Sequence, residues 1–465
     1  MGTTGSLTQL MYTARDALSA QSYGLGVTGQ NISNVNTPGY VRREALLETR
    51  ALGTATTGSV SIEGLRRATD IYIERRELTA RGSAAAASEH DNQLASVEAL
   101  FNDLGNTGMG SALDGLFSSF SALAANPNDP TSRAAVLGAA DAFAERANSM
   151  GDSLATLRDD LLQQAQVTVK QINERASSIA ELNRRIQAAE AQGEDAADLK
   201  DQRNNLLLDL SQLVDVRTIE GDNGSIIVQA SGTTLVEGVD SRPFVIDLNA
   251  DGSIKLLSSR DGTGGTEVTQ FLTGGKLAGI KEARDVDVFD VQSKLDQLVF
   301  DVATAVNTQH AAGFGSDGVS GRNLFDVSAT ADGAARAIRL SAAVAGNPAA
   351  VAAAGDAASV PGGSGNATAL AGVWNTPLSG GRTAAESYGD IVGSIGQRKS
   401  AIAQAVETQV AIKEQIQAMR EAVSGVSLDE EMVALTKYQR AYQAAGRVLS
   451  TVDELLQDLL NRVGR

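Results

Sequence analysis

From Ser427 to Val463 the apolar residues keep a register that a lone helix has no reason to keep. Leu435, Tyr438, Tyr442, Ala445, Leu449, Val452, Leu456, Leu459 and Val463 recur at alternating steps of three and four, the seam of a coiled coil. Ser427-Leu428-Asp429-Glu430 ahead of it reads as a capping box, and Gly425 supplies the break from the preceding helix. An apolar stripe of that length must be covered, or it invites aggregation. The other end of the chain carries a matching seam: Leu7, Met11, Ala14, Leu18, Gln21, Leu25, Thr28 and Ile32. The two termini are therefore expected to pair, with everything between them a loop thrown out from that pair. Two ordinary amphipathic helices lying on a globular body account less well for registers this regular at both ends.

A length of 465 residues allows about three domains. Aromatics are only 4% of the chain against 42% apolar in total, so the apolar surface is mostly aliphatic and suits helix seams. The expected fold is mainly α with a smaller β part: paired N- and C-terminal coiled-coil helices, a central long-helix bundle and an inserted antiparallel β domain. A net charge of −17 and a pI near 4.7 argue against nucleic acid and anionic membrane as partners, because both need a basic face. There is no cysteine, so disulfides and thiolate metal sites are excluded. No apolar run approaches the ~18 residues a membrane span needs, and the N-terminus lacks the basic and apolar regions of a cleavable signal. Composition alone leaves the chain in the cytoplasm.

Along the chain, Asn31-Ile32-Ser33-Asn34-Val35-Asn36-Thr37-Pro38-Gly39-Tyr40 is a dense cluster of helix breakers. Asn side chains close local turns, Pro38 forbids helix at Thr37, and Gly39 admits positive φ. Val41 to Leu65 reads as extended, and a long helix follows from about Thr69 to Phe101. Asp129 as cap and Pro130 at the first helical position start another, which runs to about Gln192 on a stripe from Met150 to Ile186 and is broken by Gly193. A shorter helix covers Leu199 to Val214, and between Val216 and about Phe271 the period changes to two, as in an antiparallel β unit. Helix returns from about Lys281 to Ala312 and from Thr383 to Ser424. The expected division is a terminal coiled-coil domain of 1–50 with 426–465, a helical bundle of 51–214 with 276–314 and 383–425, a β-rich segment of 215–275, and a Gly/Ala-rich, loosely structured outer excursion of 315–382.

Chemistry-bearing motifs are few. Gly24-Leu25-Gly26-Val27-Thr28-Gly29 has the letters of a dinucleotide fingerprint, but no strand precedes it; small residues admitting a close neighbour is the better reading. Met1-Gly2-Thr3-Thr4-Gly5-Ser6 fits the loose acylation pattern. His90 reads as part of a solvated helix face, and His310 as a cation at a helix end. Neither has a metal-ligand partner at i+4, and Gly274-Gly275-Lys276-Leu277 lacks the Ser/Thr of a phosphate loop. No catalytic, metal or cofactor residues are assigned.

The cluster Asn31 to Tyr40 resembles the N-terminal signature of the axial proteins of the bacterial flagellum, the rod, hook and hook-associated proteins. Asn126-Pro127-Asn128-Asp129-Pro130-Thr131-Ser132-Arg133, Leu199 to Leu207, Ala305 to Gly313, and the tail from Val426 through Ala445 are similar to the hook-associated group. The resemblance covers essentially the whole chain, although 315–382 is short beside larger members. It implies a non-enzymatic structural protein at the junction of hook and filament, exported unfolded without a cleavable signal and located outside the cell. It implies as partners other copies of itself in a ring, the hook protein, a second junction protein, and a cytoplasmic export chaperone on the C-terminal helix. The residues expected to make the assembly contacts are Leu7, Met11, Leu18, Leu25, Asn31, Asn34, Asn36, Pro38, Gly39, Tyr40, Leu435, Tyr438, Tyr442, Leu449, Val452, Leu456 and Leu459. The terminal helices are expected to be partly disordered until assembly covers them. A hook or distal-rod protein would share the signature and the seams. A cytoplasmic coiled-coil scaffold would explain the seams but not the signature. A wall hydrolase would need a carboxylate in the β insertion, where Glu220, Asp222 and Glu237 stand by location only.

Overall fold

The computed structural model describes residues 2–51, 58–102 and 108–463. Met1, and the side chains of residues 2–6 and of Val463, lie outside the described part, so neither the acylation pattern nor the last seam position is placed. Helix α1 (Gly2–Ser33) ends where the breakers begin: the Thr37 amide donates to the Asn34 carbonyl at 2.9 Å, and Gly39 takes φ of +77°. Strands β1 (Arg43–Ala51) and β2 (Gly58–Arg67) form an antiparallel hairpin packed along α1, with a register shift at Leu46/Leu47.

Four helices follow. Asp70 caps α2 (Ile71–Leu100) by accepting from the Tyr72 and Ile73 amides. Helix α3 (Met109–Ala125), which the sequence reading omitted, buries Leu113, Leu116, Phe120 and Leu123 on one face. In α4 (Pro130–Ala191) Asp129 is the cap and Pro130 the first helical residue, and the Asp129 carboxylate accepts from the Thr131 and Ser132 amides, both at 3.0 Å. Gly193, at φ +73°, lets the chain reverse into α5 (Ala197–Leu213).

The β segment is two antiparallel sheets, one of β3 (Val216–Glu220), β4 (Ile226–Ala230), β5 (Thr233–Glu237) and β6 (Asp240–Ser241), the other of β7 (Phe244–Leu248), β8 (Ile254–Ser258) and β9 (Thr266–Glu267). Helix then resumes as α6 (Gly275–Glu282), a π-helical stretch Ala283–Val288, and α7 (Phe289–Ala312). Residues 315–382 are not a loose excursion. They hold the two-stranded pairing of β10 (Phe325–Asp326) with β11 (Arg339–Leu340), the one-turn α8 (Ala334–Ala337) between them, and α9 (Gly365–Gly372). They also bury Leu324, Phe325, Ile338, Val351, Ala353 and Leu370 against α3, α4 and α7. Thr383 and Glu386 form a reciprocal capping box at the start of α10 (Ala384–Ser424), and α11 (Leu428–Val463) closes the chain.

The spine of the body is α4, which packs on α3, α5, α7, α8 and both sheets. One continuous apolar core runs from Leu78 in α2 to Ile395 in α10, and among the described residues none of it comes from α1 or α11. The terminal helices, with the β1–β2 hairpin packed along α1, therefore form a layer outside this core.

Candidate functional site: the terminal helix pair and its anchor

Helices α1 and α11 pack along each other, so the ends of the chain meet. On α11, Val452 is fully buried, Leu435, Tyr438, Ala445, Leu449, Leu456 and Leu459 are half-buried, and Tyr442 remains 43% exposed. On α1 the stripe lies one residue earlier than hydrophobicity suggests. Ala14 and Thr28 are buried as read, but the deepest run is Ala20, Gly24, Val27 and Asn31, while Leu7, Met11, Leu18, Leu25 and Ile32 are half-buried beside it. The physical reason is close approach. A Cβ on Gly24 would stand 2.6 Å from Cε1 of Tyr438, so the ring packs where only glycine leaves room. Within the fingerprint-like run, Gly24 thus admits a neighbour, whereas Gly26 and Gly29 meet nothing within 4 Å.

At the base of the pair the seam turns polar. Asn31, 1% exposed, donates through Nδ2 to the Arg43 carbonyl (2.8 Å) and to Glu431 Oε2 (3.1 Å). Its Oδ1 accepts from the Tyr40 hydroxyl (2.9 Å) and the Arg43 amide (3.0 Å). Glu431, only 3% exposed, also accepts from Arg42 Nε at 3.0 Å, and Arg42 Nη1 reaches Glu430 at 3.1 Å. That turns the Glu430 carboxylate toward Arg42, although the Glu430 amide still lies 3.5 Å from the Ser427 hydroxyl as in the expected cap. The Arg43 guanidinium lies over the Tyr40 ring, 4.9 Å from its centroid, and pairs with Asp198 and with Asp201 (3.0 Å). Asp201 in turn accepts from Arg67 Nε at 2.8 Å. Burial pushes the Tyr40 phenol up against the opposing effect of Arg43. At Arg43 burial acts downward, but the hydrogen bonds to Asp198 and Asp201 outweigh it and the guanidinium is raised. The anchor ties together α1, the turn, β1, β2, α5 and α11, and the Arg42 amide adds a bond to the Ser424 carbonyl at the end of α10 (3.0 Å).

Within the signature, Asn31 and Tyr40 are in the anchor, and Gly39 lies against it, with the Asn205 side chain filling the space a Cβ would take. Asn34 acts locally, donating to the Gln30 carbonyl (2.9 Å) and accepting from the Thr37 hydroxyl (3.1 Å). Asn36 and Pro38 are exposed. Sequence reasoning missed Arg42, Arg43, Arg67, Asp198, Asp201 and Glu431. One signal was available: Glu431 precedes Leu435 by four and so continues the seam inward as a charge at a core position.

Both histidines differ from their expected settings. His90 is not on a solvated face but pairs with buried Asp287, which Arg398 of α10 also engages. His310 is no helix-end cation: it is fully buried, its Nδ1–H donates to the Arg322 carbonyl (2.7 Å) and its Nε2 accepts from the Ala352 amide (3.0 Å). Burial pushes its pKa down and keeps it neutral. Glu220, Asp222 and Glu237 are exposed on the first sheet, Glu237 paired with Arg242 at 3.2 Å.

Comparison with known proteins divides the chain along the same lines. Residues 11–40, holding α1 and the signature turn, match the family described as flagella basal body rod protein, and 420–462, holding α11, match the C-terminal region of the rod FlgEFG proteins. The middle matches a different description: residues 94–325 match the helical domain of the flagellar hook-associated protein FlgK. Taken together, the matches are those of the flagellar hook-associated proteins. It is similar to flagellar hook-associated protein 1 of Bacillus subtilis (29% identity, 97% of each chain) and of Salmonella typhimurium (24% identity, 98% of this chain and all of the relative). Its fold is that of the flagellar hook junction protein FlgK from Burkholderia pseudomallei, with a TM-score of 0.67 at 18% identity over 75% of this chain and all of that one. The family is structural, a component of the flagellum.

Proposed function

We propose that this chain, a component of the hook–filament junction, assembles there by burying the outer flank of its terminal helix pair against neighbouring copies. The observation that carries this reading is what α1 leaves uncovered on α11. Ala434, Ala441, Val448 and Leu455 recur every seven residues beside the seam, and Val448 and Leu455 are 46% and 48% exposed. With the half-buried Tyr438, Ala445 and Leu459 they make a second stripe that a single partner helix cannot cover. Leu460, at 73% exposed, extends the apolar surface at the free end. In the axial structure other copies, the hook protein and a second junction protein supply the cover. Before export a cytoplasmic chaperone on α11 does so, and the protein then reaches the outside of the cell unfolded, through the flagellar export apparatus.

The test is deletion of the gene, with electron microscopy of the cells and assay of flagellin in the medium. Complete hooks without filaments, with flagellin lost to the medium, support the junction role. Absent hooks move the protein to the hook or rod, and normal flagella overturn the reading. Leu449→Ala separates assembly from folding. Removing its methyls costs at most about 2–5 kcal/mol, the range for a fully packed leucine, and Leu449 lies outside the main core. Filament attachment should fail while the body melts as in the wild type; a lowered melting temperature of the body sinks the mechanism.

A further inference from the structure

Next to the anchor, and sharing Arg67 with it, a polar cleft of about 430 Å3 opens between the start of α2, α5 and the β3–β4 hairpin. Its lining is rich in cations for a chain of net charge −17: Arg67, Arg75, Lys200 and Arg203. Lys200 is matched by Glu190 at 2.6 Å, and Glu220 is exposed at the edge. Arg203, 8% exposed, is held rigidly, since its Nη1 donates to Asn183 Oδ1 (2.8 Å) and to the Gly224 carbonyl (2.7 Å).

Two further donors in this wall have no acceptor among the described residues. Arg67 Nη2 and Asn204 Nδ2 are both buried and both unpaired, although Arg67 spends its Nε on Asp201, and Asn204 as a whole is only 9% exposed. A buried donor without an acceptor costs about 1–3 kcal/mol, and two of them on neighbouring walls of one cleft point to a shared acceptor. The guanidinium pair has the same need: burial first, and the nearby Arg67 second, push Arg203 down to about 10. Burial raises the pKa of Glu74, the remaining carboxylate of the lining, against the lowering effect of Arg67, Arg420 and Arg203.

We infer that this cleft binds a small tetrahedral oxyanion of the phosphate or sulfate class, held by Arg67 Nη2, Asn204 Nδ2 and the Arg203 guanidinium, with Arg75 at the mouth. Charge-assisted bonds from guanidinium donors suit such an acceptor better than a lone water. The occupant also stiffens the anchor, since Arg67 leads through Asp201 to Arg43 and so to Asn31. Anion binding at this site holds the terminal helix pair to the body.

The experiment is calorimetric titration of the intact chain with inorganic phosphate and with sulfate in an anion-poor buffer, alongside melting curves in which chloride matches the ionic strength. Saturable one-site binding is expected, with a melting temperature that rises with the logarithm of phosphate or sulfate but not of chloride. Asn204→Asp replaces a donor of the cleft wall with a carboxylate that repels an anion, and Asn204→Ala deletes the orphan donor. Each should weaken binding by roughly tenfold or more, equivalent to about 1.4 kcal/mol, without lowering the melting temperature in phosphate-free buffer. Arg75→Ala, on an exposed side chain, should weaken it a few-fold. Absence of saturable binding in the wild type overturns the inference, as does binding that both Asn204 variants leave unchanged. Should either Asn204 variant fail to fold, the other and Arg75→Ala decide it.

Discussion

Asn31→Ala tests whether the anchor, and not the apolar seam, holds the terminal helices to the body. The substitution removes four hydrogen bonds of 2.8–3.1 Å at a residue 1% exposed. It leaves the Arg43 amide and carbonyl without these partners and the Glu431 carboxylate with Arg42 as its remaining partner. Arg43 and Glu431 are themselves 6% and 3% exposed, so water reaches the freed groups only if the structure opens. At about 1–3 kcal/mol for each buried group left unsatisfied, with three groups affected, the expected loss is roughly 3–9 kcal/mol. It should fall on one layer, because none of these residues belongs to the main core. Hydrogen exchange read by mass spectrometry is the assay. Amides in the last two turns of α1 and the first two of α11 should be protected in the wild type and exchange on the order of 100-fold or more faster in the variant, while those of α4 are unchanged. Equal exchange in wild type and variant, or faster exchange throughout α4, refutes the reasoning.

Gly24→Ala sets two effects against each other: better helix propensity is worth about 1 kcal/mol, and the clash with Tyr438 costs about 1–3 kcal/mol. The pair should loosen in the same exchange assay, whereas Gly26→Ala, with open space around it, should tighten it. His310 supplies a pH test. Burial lowers its pKa from 6.5 in the folded chain, so the unfolded chain takes up the proton first, and stability present above that pH is lost as pH falls below it. Between about pH 7.5 and about 5.5 the wild type should lose ~1 kcal/mol more than His310→Gln in urea unfolding; equal losses dispose of the argument.

Where structure depends on neighbours in sequence, the chain could be read directly. The cap at Asp129, Pro130 at the first helical position, and the Thr383 start of α10 are local chemistry, and they stand at the positions expected. The failures are of two physical kinds. Small residues carry packing that hydrophobicity does not register: Ala20 and Gly24 form the floor of the α1 stripe while Leu18 and Leu25 are half-buried, and buried Ala334, Ala335 and Ala353 lie in a stretch whose composition suggested a loose excursion. Partners brought from far away are the other kind. His90 meets Asp287, His310 meets Arg322 and Ala352, and Arg43 meets Asp198 and Asp201. No spacing along the chain announces those meetings.

The polar base of the terminal pair also answers a question that the seam raises. A stripe with a seven-residue period fits its partner nearly as well after a slip of one heptad, and apolar contact is non-directional, so the seam alone leaves register open. Asn31 and Glu431 close it. A slip of α11 by one heptad would move the Glu431 carboxylate roughly 10 Å along the axis, at ~1.5 Å per residue, away from Asn31 Nδ2 and Arg42. It would leave a charge buried without its donors, at a cost of several kcal/mol. The same slip would carry the Tyr438 ring off the space that Gly24 provides. Register is thus set at the end of the pair next to the body, where an error of one heptad is most costly, and the apolar residues toward the free end follow from it. The signature after α1 therefore aligns as well as turns: Tyr40 and Gly39 hold Asn31 and the Arg43 backbone in position to receive Glu431, and the outer stripe of α11 is fixed at one height relative to the body.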